Sequence, residues 1–188
     1  MKSSFLVLLS ISLFFVSSAQ TSDSLKKQQR GFELSFGQSV LFISHSKLVD
    51  IRNQSATIIP TNSILFLSEF RTKKFLRVPV FFNIPTESKQ FLVNGQLINE
   101  RASPTFGAGI QLRCFKFGFF AKSKIEFEAG AMASFLLSKN NDVIFAPVLA
   151  GRLRVSKGEN FVMYVGASYS IGINSWGLLY GTGTVFSP

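Results

Sequence analysis

Glu126 and Glu128 stand two positions apart, and Arg152 and Arg154 do the same further on, with Lys139 and Asp142 the only charges between them. Such groups could close on one another as bidentate ion pairs, or pass protons and ions along a polar path. Register decides which groups meet. If Lys139-Asn140-Asn141 is a hairpin loop, with Asn at the positive φ such loops need, residues whose numbers sum to 280 face each other. Glu126 then lies opposite Arg154, and Glu128 opposite Arg152. By the same alternation Glu33, Glu69, Arg77 and Arg113 point to the same side from other segments, and Tyr164 brings a hydroxyl among them. Four acids against four arginines form a balanced set. An unpaired charge in a narrow interior is costly, so the expectation is a structural ion-pair plug rather than an ion path.

His45, the single histidine, is flanked by Ser44 and Ser46 with Asp50 nearby. Ser, His and an acid are the parts of acyl-transfer chemistry, but that chemistry needs them within hydrogen-bond reach in a set geometry. A lone Ser-His-Ser defines no such set, so His45 reads as a polar residue at a strand end and no enzyme activity is expected. Without a Cys/His cluster, a Gly-rich phosphate loop or a Walker pattern, no metal, nucleotide or other cofactor is indicated. Cys114 is the only cysteine, which excludes an intrachain disulfide and leaves it a small apolar residue on a strand.

Positioning the charges takes strands with two faces. From Ile125 to Leu137 and from Val143 to Val155 the odd positions carry no polar side chain, while the even ones hold the Glu and Arg residues among small neighbours. Eight segments have this period of two: 32–43, 63–71, 76–84, 105–117, 125–137, 143–155, 161–173 and 176–186. Long connections, 45–62 and 86–103, alternate with short ones, and Asn94-Gly95 between apolar runs signals a two-residue hairpin that extends the third and fourth strands. Gln38 interrupts the apolar face, and Pro79 and Pro147 each call for a bulge or a local widening, since proline donates nothing to a ladder. Ile144, Ala146 and Val148 should fill the interior beyond the charges.

Alternation alone does not say which face is inside. The charged face is built from small residues such as Gly166, Ser168, Gly181 and Gly183 and nearly lacks Lys, whereas the apolar face ends in aromatics such as Phe32, Trp176 and Phe186. A crowded lumen and an interfacial girdle explain both features, so the expected fold is all-β, an eight-stranded antiparallel up-and-down transmembrane β-barrel. A soluble lipid-carrier barrel, with its apolar face inside, is the alternative.

Lys2, the apolar run from Phe5 to Val16 and Ser17-Ser18-Ala19 make residues 1–19 a signal peptide, too short for a membrane-spanning helix. Polar residues 20–30 then form a flexible periplasmic lead, and 31–187 form the barrel. Both termini fall in the periplasm, where short turns belong, and the long loops outside. The formal net charge of +10 suggests nucleic acid, acidic lipid or an acidic partner. An export signal argues against nucleic acid, and Lys residues at strand ends favour lipid head groups.

The signal ending in Ser-Ala-Gln, the eight two-faced strands and the last strand, Trp176 to Phe186, resemble the small outer-membrane β-barrel proteins of Bacteroidetes, the PorT-like group. The resemblance covers Gly31 to Phe186 and carries no catalytic signature. It implies location in the cell outer membrane among lipids that include lipid A, and insertion by the barrel assembly machinery, which reads an alternating aromatic last strand. It also implies a structural or interaction role, with loops 45–62 and 86–103 open to a protein partner. A component of an envelope secretion or assembly machinery is a special case of that role. A lipid A-modifying enzyme using His45 is a further alternative.

Overall fold

The computed structural model describes residues 31–51, 53–72, 75–118, 123–137, 143–158 and 160–186. The expected signal peptide and periplasmic lead lie outside the described residues, as does the loop around Asn140. Among the described residues the strands are β1 (Gly31–Ile43), β2 (Ala56–Ile59), β3 (Thr61–Arg71), β4 (Leu76–Pro85), β5 (Lys89–Val93), β6 (Gln96–Glu100), β7 (Thr105–Gly118), β8 (Ser123–Leu137), β9 (Val143–Phe145), β10 (Val148–Lys157), β11 (Phe161–Ser170) and β12 (Ser175–Phe186). Antiparallel ladders run in the order β1, β3, β4, β7, β8, then β9 with β10, β11, β12 and back to β1. Since β9 and β10 are two parts of one strand, the barrel is closed with eight strands and leaves no edge.

The hairpin register is the expected one: Glu126 faces Arg154, Glu128 faces Arg152, and Leu137 faces Val143. The two prolines disturb the ladder without shifting it. Val78 and Pro79 drop out of the β4–β7 pairing, yet Arg77 still faces Gln111 and Val80 still faces Ala108. At Pro147 the expected continuous strand is interrupted, but Ala146 still donates to the Ser134 carbonyl and the Ile171 amide still donates to Pro147. Each proline removes one amide from a ladder and adds no residue, so neither makes a bulge.

The bulge lies elsewhere. Between Arg113 and Phe115 the β7–β8 register shifts by one, with Cys114 as the extra residue. Alternation alone turned Phe115 and Phe117 inward; the shift places both on the outer face, and Cys114 is exposed rather than packed. The strand expected at 161–173 ends at Ser170, where a turn of residues 171–174 begins.

The long connections carry a sheet of their own. β2, β5 and β6 pair in the order β2-β5-β6, with Asn94 (φ 50) and Gly95 (φ 80) at the tip of the β5–β6 hairpin, as a two-residue loop of positive φ requires. Instead of prolonging two barrel strands, this hairpin joins β2 over a small core of Val49, Phe91 and Val93, packed against Ile51, Ile58 and Ile98. The cap sits at the loop end of the barrel. Gly31, Phe186 and the strand ends at Arg71, Gly118 and Lys157 mark the terminal end.

Candidate functional site

The inward positions near the terminal end bring together the charges singled out from the sequence. Glu33, Glu69 and Glu128 have no exposure at all, and Arg77, Glu126, Arg152 and Arg154 are buried with them. Arg152 Nη2 lies 2.6 Å from a carboxylate oxygen of Glu128 and 2.6 Å from one of Glu69, and its Nε donates to Glu128 at 2.8 Å. Arg154 joins Glu126 at 2.9 Å and also donates to Glu33. Arg77 crosses the lumen from β4 to Glu126 at 3.0 Å and to Glu33 at 3.4 Å, while Arg113 reaches Glu126 at 3.0 Å. Strands β1, β3, β4, β7, β8 and β10 are therefore tied through one network.

The expected balance of four and four is corrected by Arg71, which donates to Glu33 at 3.4 Å and makes a fifth arginine. Its place on the charged face was legible, since it follows Glu69 by two residues. What alternation did not show was that Arg71 turns into the network instead of ending the strand in solvent. The surplus cation is tolerated because the members nearest the terminal rim keep water: the Arg71 and Arg113 side chains are 29% and 21% exposed.

Tyr164 supplies its ring more than its hydroxyl. The Arg152 guanidinium lies 5.5 Å from the ring centroid, a cation–π contact, whereas among the described residues the buried hydroxyl has no hydrogen-bond partner. That oxygen rests over glycine backbone: a Cβ at Gly37 or Gly181 would come within 2.8 or 2.6 Å of it. The ring also packs with Leu65, Leu67, Phe81 and Leu179 as an apolar layer above the charges.

Toward the loop end the lumen is open. Ala146 and Val148 line it as expected, but they do not fill it. A cavity of about 120 Å³ remains, floored by Arg152, walled by Leu41, Ile43, Val148 and several serines, and bordered at its mouth by His45 and Lys89. Small side chains from facing strands leave this space. Ile144 lies outside it, lining a second hollow at the rim.

The groups near His45 are committed elsewhere. Ser44 donates to the carbonyls of Ile173 and Asn174, Ser46 to Glu100 at 2.7 Å, and Asp50 accepts from Asn53 at 2.6 Å. Among the described residues no hydrogen bond joins the His45 ring to Ser44, Ser46 or Asp50. The same region yields a fastening that sequence reasoning missed. Lys89, at the base of the cap, donates to Glu100 at 3.1 Å and to the His45 carbonyl at 3.3 Å. Ser46 also receives the amides of Leu48 and Val49 at 3.0 Å each, so the chain leaving β1 is bound to the cap. Among the described residues no group of three His, Cys, Asp or Glu is placed to hold a metal ion.

The outer wall reverses the pattern of a soluble protein. Phe36 is 53% exposed, Ile110 54% and Val165 56%, and comparable apolar side chains cover β3, β10 and β12, while the carboxylates and most arginines of the strands lie inside. Only a hydrocarbon solvent makes that arrangement favourable. The chain is a transmembrane β-barrel of the outer-membrane type. The soluble-carrier alternative falls on the same observation.

No family model and no curated protein matches the sequence. Solved structures do match in fold. The outer membrane protein OprG from Pseudomonas aeruginosa superposes with a TM-score of 0.55 at 10% identity, over 86% of this chain and 98% of that one. Neisserial surface protein A gives 0.49 at 12% identity, over 85% and 97%. At such identities the likeness concerns the barrel architecture alone.

Proposed function

We propose that this barrel is a non-conducting scaffold of the outer membrane that displays the β2-β5-β6 cap outside the cell, with both termini in the periplasm. One observation carries the reading: the buried Glu–Arg network joins β1, β3, β4, β7, β8 and β10 across the lumen. Eight strands enclose a space just wide enough for side chains, and this one is occupied by groups held through several partners each. Opening a path would break buried ion pairs, at a cost of about 3 to 5 kcal/mol for each one left without a partner.

The proposed outward end carries the folded cap and residues 45–62 and 86–103, which suit contact with a protein partner. The resemblance to the PorT-like barrels of Bacteroidetes extends the reading to a place in an envelope secretion or assembly complex. Outer-membrane lipids, lipid A among them, would surround the wall, with the barrel assembly machinery inserting the chain. In this reading the lumen charges hold the barrel together and no catalysis is assigned to His45.

Single-channel recording of the purified protein in planar lipid bilayers tests the closure. No steady current is expected from the unmodified chain, and substitution of Arg152 and Arg154 by Ala should produce openings. Sustained currents through the unmodified barrel would overturn the reading.

A further inference from the structure

The wall that meets lipid is hydrocarbon almost everywhere, and its mid-strand polar side chains gather on one seam. Gln38 on β1 faces Tyr180 on β12, with Thr182 and Thr184 next along the outer side of β12. Ser68 of β3 joins them, because it and Thr184 both pair with Leu34. Gln38 is the eighth residue of a 13-residue strand and Tyr180 the sixth of a 12-residue one, so both sit close to mid-height. The outward neighbours of this pair, Ile64 on β3 and Val165 on β11, are apolar.

Tyr180 donates its hydroxyl hydrogen to Gln38 Oε1 at 2.5 Å, which answers the carboxamide's acceptor. Its two N–H donors are not answered: among the described residues no hydrogen bond leaves the Gln38 amide nitrogen. At this depth neither water nor lipid tails offer an acceptor, and a polar group left bare in hydrocarbon is strongly unfavourable.

We propose that the β12–β1 seam is an interface in the plane of the membrane and that its occupant is a second copy of this chain. Two copies inserted in the same direction are related by a two-fold axis along the membrane normal, which brings a residue of one copy to the same residue of the other at identical depth. A primary amide suits that position, since it carries donors and acceptors on one group. Gln38 of each copy can give an N–H to the oxygen of the other while keeping its bond from Tyr180. A different partner would need an acceptor placed by chance at this height, whereas symmetry guarantees one. Thr182 and Thr184 extend the contact with compact side chains, as interfaces within membranes favour.

The test uses the full mature chain in phospholipid vesicles, with Cys114→Ser as background. Val40→Cys, beside Gln38 on the outer side of β1, reports the seam, and Ile110→Cys on β7 reports another part of the wall. On oxidation at high lipid dilution, Val40→Cys should yield disulfide-linked dimers and Ile110→Cys should stay monomeric. Adding Gln38→Leu should lower the association constant about tenfold. Energy transfer between copies labelled at Leu97→Cys gives the same comparison without a cysteine in the seam. Equal crosslinking at both sites, or dimers unaffected by Gln38→Leu, would overturn the proposal. So would monomers by both measurements.

Discussion

Arg152 shows how much one side chain holds together in this lumen. It serves Glu69 and Glu128 at once and lies against the ring of Tyr164, so its loss leaves two carboxylates without access to water to share Arg77, which lies 2.5 Å from Glu128 and 3.9 Å from Glu69. Arg152→Ala should destabilise the barrel by about 3 to 5 kcal/mol. Adding Glu128→Ala should return part of that loss, because one of the two carboxylates competing for Arg77 is then gone. Recovery stays partial, since Glu69 keeps only Arg77, at 3.9 Å. Urea unfolding of the single and double variants in lipid measures the coupling; strict additivity would mean that Glu128 and Arg152 are not linked.

The cap is the element least dependent on lipid. Its core is the small cluster around Phe91, and its attachment to the barrel runs through Lys89, Glu100 and Ser46. Burial works against the charge of Glu100. Hydrogen bonds from Ser46 and Lys89, the Lys89 charge and the Lys47 amide outweigh it and hold the carboxyl below its ordinary range. A carboxylate whose folded value is depressed contributes stability that is complete above the unfolded value, about 4.3 for Glu, and is lost as pH falls through the folded value. Amides of β5 and β6 should therefore exchange faster below about pH 4, after correction for intrinsic rates, while the barrel ladders stay protected. Glu100→Gln should show weaker protection at neutral pH and little further loss in acid.

For the whole molecule the functional question is which end faces the surroundings. Gly31, Phe186 and the strand ends at Arg71, Gly118 and Lys157 share one end, and the cap occupies the other. With Cys114→Ser as background, Leu97→Cys in the cap should react in intact cells with a membrane-impermeant maleimide, and Lys157→Cys at the opposite end should react only after the outer membrane is opened. The reverse pattern would invert the proposed orientation and turn the cap toward the periplasm.

Eight two-faced strands, the Glu126–Arg154 and Glu128–Arg152 register and the inward turn of the charges could be read from alternation, because a period of two fixes the side of every residue once one face must be apolar. The Asn94-Gly95 hairpin was legible for an equally local reason, the positive φ of its turn. Alternation failed at Cys114, since a bulge depends on how β7 fits β8 and not on β7 alone. It also passed over β2, whose four residues are too few to show a period and become a strand by pairing with β5. Only the closed barrel could bring Arg71, Arg77 and Arg154 onto Glu33, or set Gln38 against Tyr180, for these partners lie far apart in the chain and meet through strand order and stagger. Apart from the residues beyond the Cys114 bulge, the sequence by itself determined which side chains face lipid and which face the lumen, a property of each strand's own spacing. Which charges pair, and where a polar group is left in hydrocarbon without an acceptor, was decided by tertiary structure, because closing the barrel sets the distances between strands.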